Sequence, residues 1–353
     1  ILSGTGSVTK QNVGTLIVKG VNTYTGGTTV SAGILQGNAT SLPGNILNNA
    51  AVVFDQEIDG TYAGAISGPG SVTKQNVGIL VVTGANDYKG GTLVSAGTLQ
   101  GDTTSLQGNI SNNATVVFNQ ATNGTYAGTI SGSGSVTKQN AGTLIVKGEN
   151  NYSGGTTVSG GTLQGNTTSL PGNILNNAAV VFDQEIDGTY AGAISGTGSV
   201  TKQNVGTLIV KGPNNYSGGT TVSGGILQGD TTSLTGDIIN NAAVVFDQVN
   251  EGTYAGAISG SGSVTKQNTG TLIVTGVSTY TGATTVSAGT LQGNTTTLPG
   301  NILNNGAVVF NQAIDGTYAG IISGSGSVTK QNAGTLIVTG PNTYTGKTTV
   351  SEG

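Results

Sequence analysis

The stretch Gly6-Ser7-Val8-Thr9-Lys10-Gln11-Asn12-Val13-Gly14-Thr15-Leu16-Ile17-Val18 decides the fold, because it returns almost unchanged along the chain. Its valine recurs as Val8, Val72, Val136, Val200, Val264 and Val328, each 64 residues after the one before. The aromatic residues keep the same beat, at Phe54, Phe118, Phe182, Phe246 and Phe310 and at Tyr62, Tyr126, Tyr190, Tyr254 and Tyr318. A fixed period is the mark of a solenoid, a propeller or an array. Residues 1–353 therefore read as a single continuous repeat array, with units starting near Gly6, Gly70, Gly134, Gly198, Gly262 and Gly326. The chain opens in mid-unit at Ile1 and stops within a sixth copy at Gly353, so it is expected to be a fragment of a longer array.

Composition points to strands and turns. Gly at 63 residues costs about 1 kcal/mol per residue in a helix relative to Ala, and the abundant Thr and Val lose rotamer freedom there. Charged residues make up 7% and the net charge is −4, with every basic residue a lysine; phosphate recognition needs clustered Lys and Arg, so no nucleic-acid partner is expected. Cysteine is absent, which rules out a thiol nucleophile or a thiolate metal site. The runs Leu16-Ile17-Val18 and Val52-Val53-Phe54 argue against disorder.

One unit divides at Gly6, Gly27 and Asn45 into three segments, Gly6 to Gly26, Gly27 to Gly44 and Asn45 to Pro69. Each follows one plan of strand, corner, strand and a short third face. The strands are Ser7–Thr9 with Thr15–Val18, Thr28–Val30 with Gly33–Gln36, and Asn45–Leu47 with Ala51–Phe54; the corners are stocked with Gly, Asn and Ser, which tolerate or stabilise tight backbone turns. The third faces carry Tyr24, Leu42, and Tyr62 with Ile66. This is the plan of an all-β, right-handed parallel β-helix with about three coils per 64-residue repeat. Stacking should place Val8 over Val30 over Ile46, and Leu16 over Ile34 over Val52.

The ionisable groups offer little chemistry. Asp55, Glu57 and Asp59 return as Asp183, Glu185 and Asp187, an alternation that could serve Ca²⁺ or acid/base work, but copy two reads Asn119-Gln120-Ala121-Thr122-Asn123. A solvated face is the expectation for them. Lys10, Lys74, Lys138, Lys202, Lys266 and Lys330 are the most regular set and are expected to form a surface stripe that keeps the array soluble. The tyrosines and phenylalanines are expected in the core, and the pairs Asn48-Asn49 through Asn304-Asn305 in an amide stack or a corner. Histidine and arginine are absent, and Gly-x-Gly strings such as Gly4-Thr5-Gly6 precede no helix. No catalytic, cofactor-binding or metal-binding residue is assigned, and the chain is read as non-enzymatic.

The residues Gly14-Thr15-Leu16-Ile17-Val18-Lys19-Gly20-Val21-Asn22-Thr23-Tyr24-Thr25-Gly26-Gly27-Thr28-Thr29-Val30-Ser31-Ala32-Gly33-Ile34-Leu35-Gln36-Gly37 resemble the passenger-associated transport repeat, also called the autotransporter-associated β-strand repeat. The match recurs at Gly78, Gly142, Gly206 and Gly270, and truncated from Gly334 to Gly353. The resemblance implies a bacterial type V autotransporter passenger, exported and displayed at the cell surface, with a C-terminal outer-membrane β-barrel outside this fragment. On that footing the expected role is a surface stalk or adhesin giving length and multivalent contact with a host, matrix or neighbouring-cell receptor. The alternative is an extracellular filament assembled from copies stacked end to end.

Overall fold

The computed structural model describes all of residues 1–353 and contains strands and turns but no helix. It divides into two compact units, Ile1–Ala179 and Val180–Gly353. Within each, the strand pairs run parallel, so the chain returns to a sheet in the same direction on every coil, as in a β-solenoid.

In Ile1–Ala179 the course of the coils can be read from the register. Val8 pairs with Thr28, Thr28 with Ile46 and Ile46 with Ile66, one coil at each step. From Ile66 the chain turns one more corner to Val72, which lies in the neighbouring sheet beside Val52 and Thr92. A 64-residue copy is therefore three coils and one further face. Ile66 belongs to the first face of a new coil instead of closing the third segment of the old one. In consequence the repeat-equivalent strands Val8–Lys10, Ser71–Gln75 and Ser135–Gln139 lie in three different sheets. In Val180–Gly353 the same holds for Ser199–Gln203, Ser263–Gln267 and Ser327–Gln331.

The expected vertical stacks are also corrected. The inward column of one sheet runs Leu16, Leu35, Val52, Val72, Thr92, Ile110, Ile130, so it is Leu35 and not the exposed Ile34 that sits between Leu16 and Val52. Val8 sits on Thr28, while Val30 lies between Lys10 and Asn48. Strand side chains alternate faces, so a small shift in register changes which neighbour each inward residue meets. The second unit repeats the column as Leu208, Leu227, Val244, Val264, Thr284, Ile302, Ile322.

The aromatic residues fill the prism as expected. Phe54 and Tyr62 are buried with ring centroids 4.9 Å apart, and Tyr62 donates its hydroxyl hydrogen to the Gly44 carbonyl at 2.7 Å. Tyr24 shares a hydrogen bond of 2.8 Å with the buried Thr28 hydroxyl, which explains how a threonine sits among apolar neighbours.

Two positions in the second unit break the pattern. Thr235 has a buried hydroxyl without a partner, where the equivalent residues are Pro43, Pro171 and Pro299 and, in copy two, Gln107, whose amide donates to Thr103 O. Ser278 replaces the asparagine that elsewhere, as in Asn214, accepts from one coil and donates to the next; Asn214 bonds Ile194 N and Ser233 O at 2.7 Å each. Ser278 Oγ accepts a longer bond, 3.3 Å, from Ile258 N. Thr235→Pro and Ser278→Asn are each expected to stabilise the surrounding coils by about 1 kcal/mol, seen as slower amide hydrogen exchange in residues 230–300. Faster exchange in both variants would contradict this reading.

Candidate functional site

The strand Ser71-Val72-Thr73-Lys74-Gln75 alternates between half-buried and buried positions, and Lys74 falls on the inward side with Val72. Its stem lies in register between Phe54 of one coil and Val94 of the next. The ammonium emerges into the corner and donates to three backbone carbonyls, Gln75 O at 3.0 Å, Asn76 O at 2.6 Å and Ala96 O at 3.0 Å. All three N–H groups of the ammonium are thus matched. Two of the carbonyls belong to the lysine's own corner and the third to the corner one coil on.

Lys138 repeats this with Gln139, Asn140 and Gly160, and Lys202 with Gln203, Asn204 and Gly224. Lys10, Lys266 and Lys330 make the equivalent bonds. The expected surface stripe is therefore wrong: all six are buried. The corner is shaped for them. Asn76 is left-handed, φ 64°, as are Asn12, Asn140, Asn204, Asn268 and Asn332, which turns consecutive carbonyls toward the ammonium. Gly97 has φ +67°, and a Cβ there would stand 2.8 Å from Nζ, so only glycine leaves the ammonium its place. Burial holds the Lys74 ammonium below its ordinary pKa, and the carboxylates of Asp55 and Asp59 pull it part of the way back.

Two members of the acidic cluster, Asp55 and Asp59, are likewise structural, while Glu57 points to solvent. Asp55 accepts from Gln36 Nε2 at 2.8 Å and from Asn76 Nδ2, linking three successive coils, and Asp59 accepts from Ile79 N at 2.8 Å. In copy two Asn119 accepts from Asn140, and Asn123 accepts from Thr143 N at 2.9 Å. What these positions use is a side-chain carbonyl oxygen, which Asp and Asn both supply, so the copies exchange the two; copy four departs from this with Glu251 at the Asp59 position. Glu57 and Asp59 are exposed, in line with a solvated face, but Asp55 and Asp59 also bind the corners to each other, which that expectation did not include. Asn48 is buried in a corner, donating to Ser71 O at 2.8 Å and accepting from Ala50 N at 3.2 Å, while Asn49 is exposed. No amide stack forms in that column, because Val30 is its neighbour in register.

What each copy shows to solvent is chiefly uncharged. One outward row runs Ile17, Gln36, Val53, Thr73, Leu93, Ser111. The corner tips Ile58 and Val77 are 73% and 81% exposed, and Ile186 and Val205 repeat them. These tips also vary between copies, with Thr122 and Ala141 in their place in copy two. The sequence signal for Val77 and Val205 is a β-branched residue directly after a left-handed Asn; Ile58 and Ile186 follow a glutamate and carry no such signal. The remaining lysines, Lys19, Lys89, Lys147, Lys211 and Lys347, are the exposed ones.

Comparison with known proteins agrees with this geometry. The passenger-associated-transport-repeat family matches residues 8–36, 72–100, 136–164, 200–228, 264–292 and 328–353. Each full match begins on the valine before the buried lysine and takes in the left-handed Asn and the Gly that complete its corner. The chain is a passenger built of passenger-associated transport repeats. The repeat starts at Val8, ahead of the stretch from Gly14 that first indicated it, so that the lysine lies inside it. The adhesin BmaC autotransporter of Brucella suis biovar 1 (strain 1330) is 32% identical over 236 residues, 56% of this chain and 6% of that protein. The deoxyribonuclease CdiA of Dickeya dadantii (strain 3937) is 31% identical over 153 residues, 43% of this chain and 4% of its own length. This chain thus spans a small part of both relatives. No solved structure matches.

The repeat lysine can be tested in two ways. Amine acylation of the folded protein followed by peptide mass spectrometry should modify Lys19, Lys89, Lys147, Lys211 and Lys347 and spare the six buried lysines; uniform labelling would refute the corner assignment. Lys74→Met keeps the stem but strands the Asn76 and Ala96 carbonyls, Gln75 O keeping its bond from Gln56 N, and should cost about 3 kcal/mol, read as accelerated exchange in residues 71–100.

Proposed function

We propose that this chain is a non-enzymatic, surface-displayed part of an autotransporter passenger that supplies length and many similar contact surfaces, and that it is anchored through an outer-membrane barrel encoded elsewhere in the same protein. The observation that carries the reading is the division of labour within each copy. The regular polar and ionisable groups are turned to backbone, while the outward rows and variable corner tips remain free to meet a partner. Many weak contacts of this kind add by multivalency. The relationship to an autotransporter adhesin supports a surface location and an adhesive role in general terms. The nuclease named in the other relative shares with this chain only 4% of its own length, and the absence of histidine and arginine here speaks against hydrolytic chemistry.

The test uses the complete natural gene product carrying an epitope tag at the exposed Asn151. Intact, unpermeabilised cells should stain, and in-frame removal of residues 1–353 should lower adherence to host cells or matrix several-fold. Staining only after permeabilisation would overturn the proposal. Unbranched fibres growing with concentration from the purified protein would instead favour end-to-end assembly.

A further inference from the structure

The register within each unit fixes which way each copy faces, whether or not the chain is displayed at a surface. In Ile1–Ala179 the outward residues Thr9, Thr73 and Thr137 occupy the same place in three successive copies, yet they stand in three different sheets. In Val180–Gly353 Thr201, Thr265 and Thr329 do the same. The local surroundings are unchanged as this happens: each buried lysine keeps its three carbonyls and each Phe–Tyr pair its spacing of 4.9–5.0 Å. The cause is the short run of chain left over after three coils, as from Ile66 to Val72, which within each unit moves the start of the next copy on by one wall.

We infer that repeat number sets direction as well as length: gain or loss of one 64-residue copy turns the surfaces that follow it by one wall, with no change in local packing. Within each unit, adjoining copies never present the same surface on the same wall, so a rigid two-armed partner cannot bind equivalent sites on neighbouring copies there along one side.

The absence of native cysteine makes the test direct. Removal of residues 70–133 joins Pro69 to Gly134, and Ser135–Gln139 should then take the place of Ser71–Gln75 against Ala51–Asp55. Nitroxide labels on cysteines replacing Val53 and Thr137 should become neighbours at about one strand spacing, roughly 5 Å between backbones, with strong dipolar broadening. The undeleted chain with the same labels should show none, and its Val53 and Thr73 pair should show the full effect. A parallel variant lacking residues 262–325, labelled at Val245 and Thr329, reads the same displacement in the other unit. An unbroadened spectrum from a deleted chain that retains its strand signal and cooperative melting would overturn the inference. So would broadening in the undeleted chain, or failure of both deleted chains to fold.

Discussion

The hydrogen-bonded ladder between parallel strands one coil apart is the constraint on which the rest depends. It fixes the rise per coil at one strand spacing, so every inward side chain must tolerate a specific neighbour above and below. Apolar columns such as Leu35, Val52 and Val72 satisfy this directly. Polar inward residues survive only with a partner of their own, as Thr28 has in Tyr24. The same ladder stacks the corners, and there the backbone has no strand to pair with. Carbonyls gathered at a buried corner must find donors or remain costly.

The repeat lysine answers that need. An ammonium offers three donors at the end of a long apolar stem. Here the stem packs in the core between Phe54 and Val94, and the donors close two corners together. The left-handed Asn and the positive-φ Gly are the matching half of this arrangement, which is why Lys, Asn and Gly recur at fixed spacing in every copy. On the outer side of the neighbouring corner, Asp or Asn oxygens bridge coils in the same spirit with a surface-exposed geometry.

The fold class and the passenger relationship were legible in the 64-residue period and the repeat motif. The stacking register was not, because it depends on how many residues each corner consumes, and corner lengths cannot be read from a strand pattern alone. Hence Ile34 was placed inward where Leu35 belongs, and Ile66 was assigned to the wrong coil. The lysine was misplaced for a different reason. Alternation along Ser71-Val72-Thr73-Lys74 already put it on the side of Val72, but the general preference of charged residues for water overrode the local pattern. The Asp and Asn exchanges carried their own clue: a position that accepts either residue asks for an oxygen, not a charge.

Within each unit, directional repetition and a low-charge exterior go together: the copies are alike in structure and stand in different sheets. The most direct check of this account is a map of amide-to-amide nuclear Overhauser contacts in the deuterated protein. It should show Thr73 beside Val53 of the coil before and Leu93 of the coil after, with the contacts of neighbouring residues advancing in parallel. Contacts between Thr73 and its counterparts in the adjoining copies, Thr9 or Thr137, or an antiparallel progression, would contradict it.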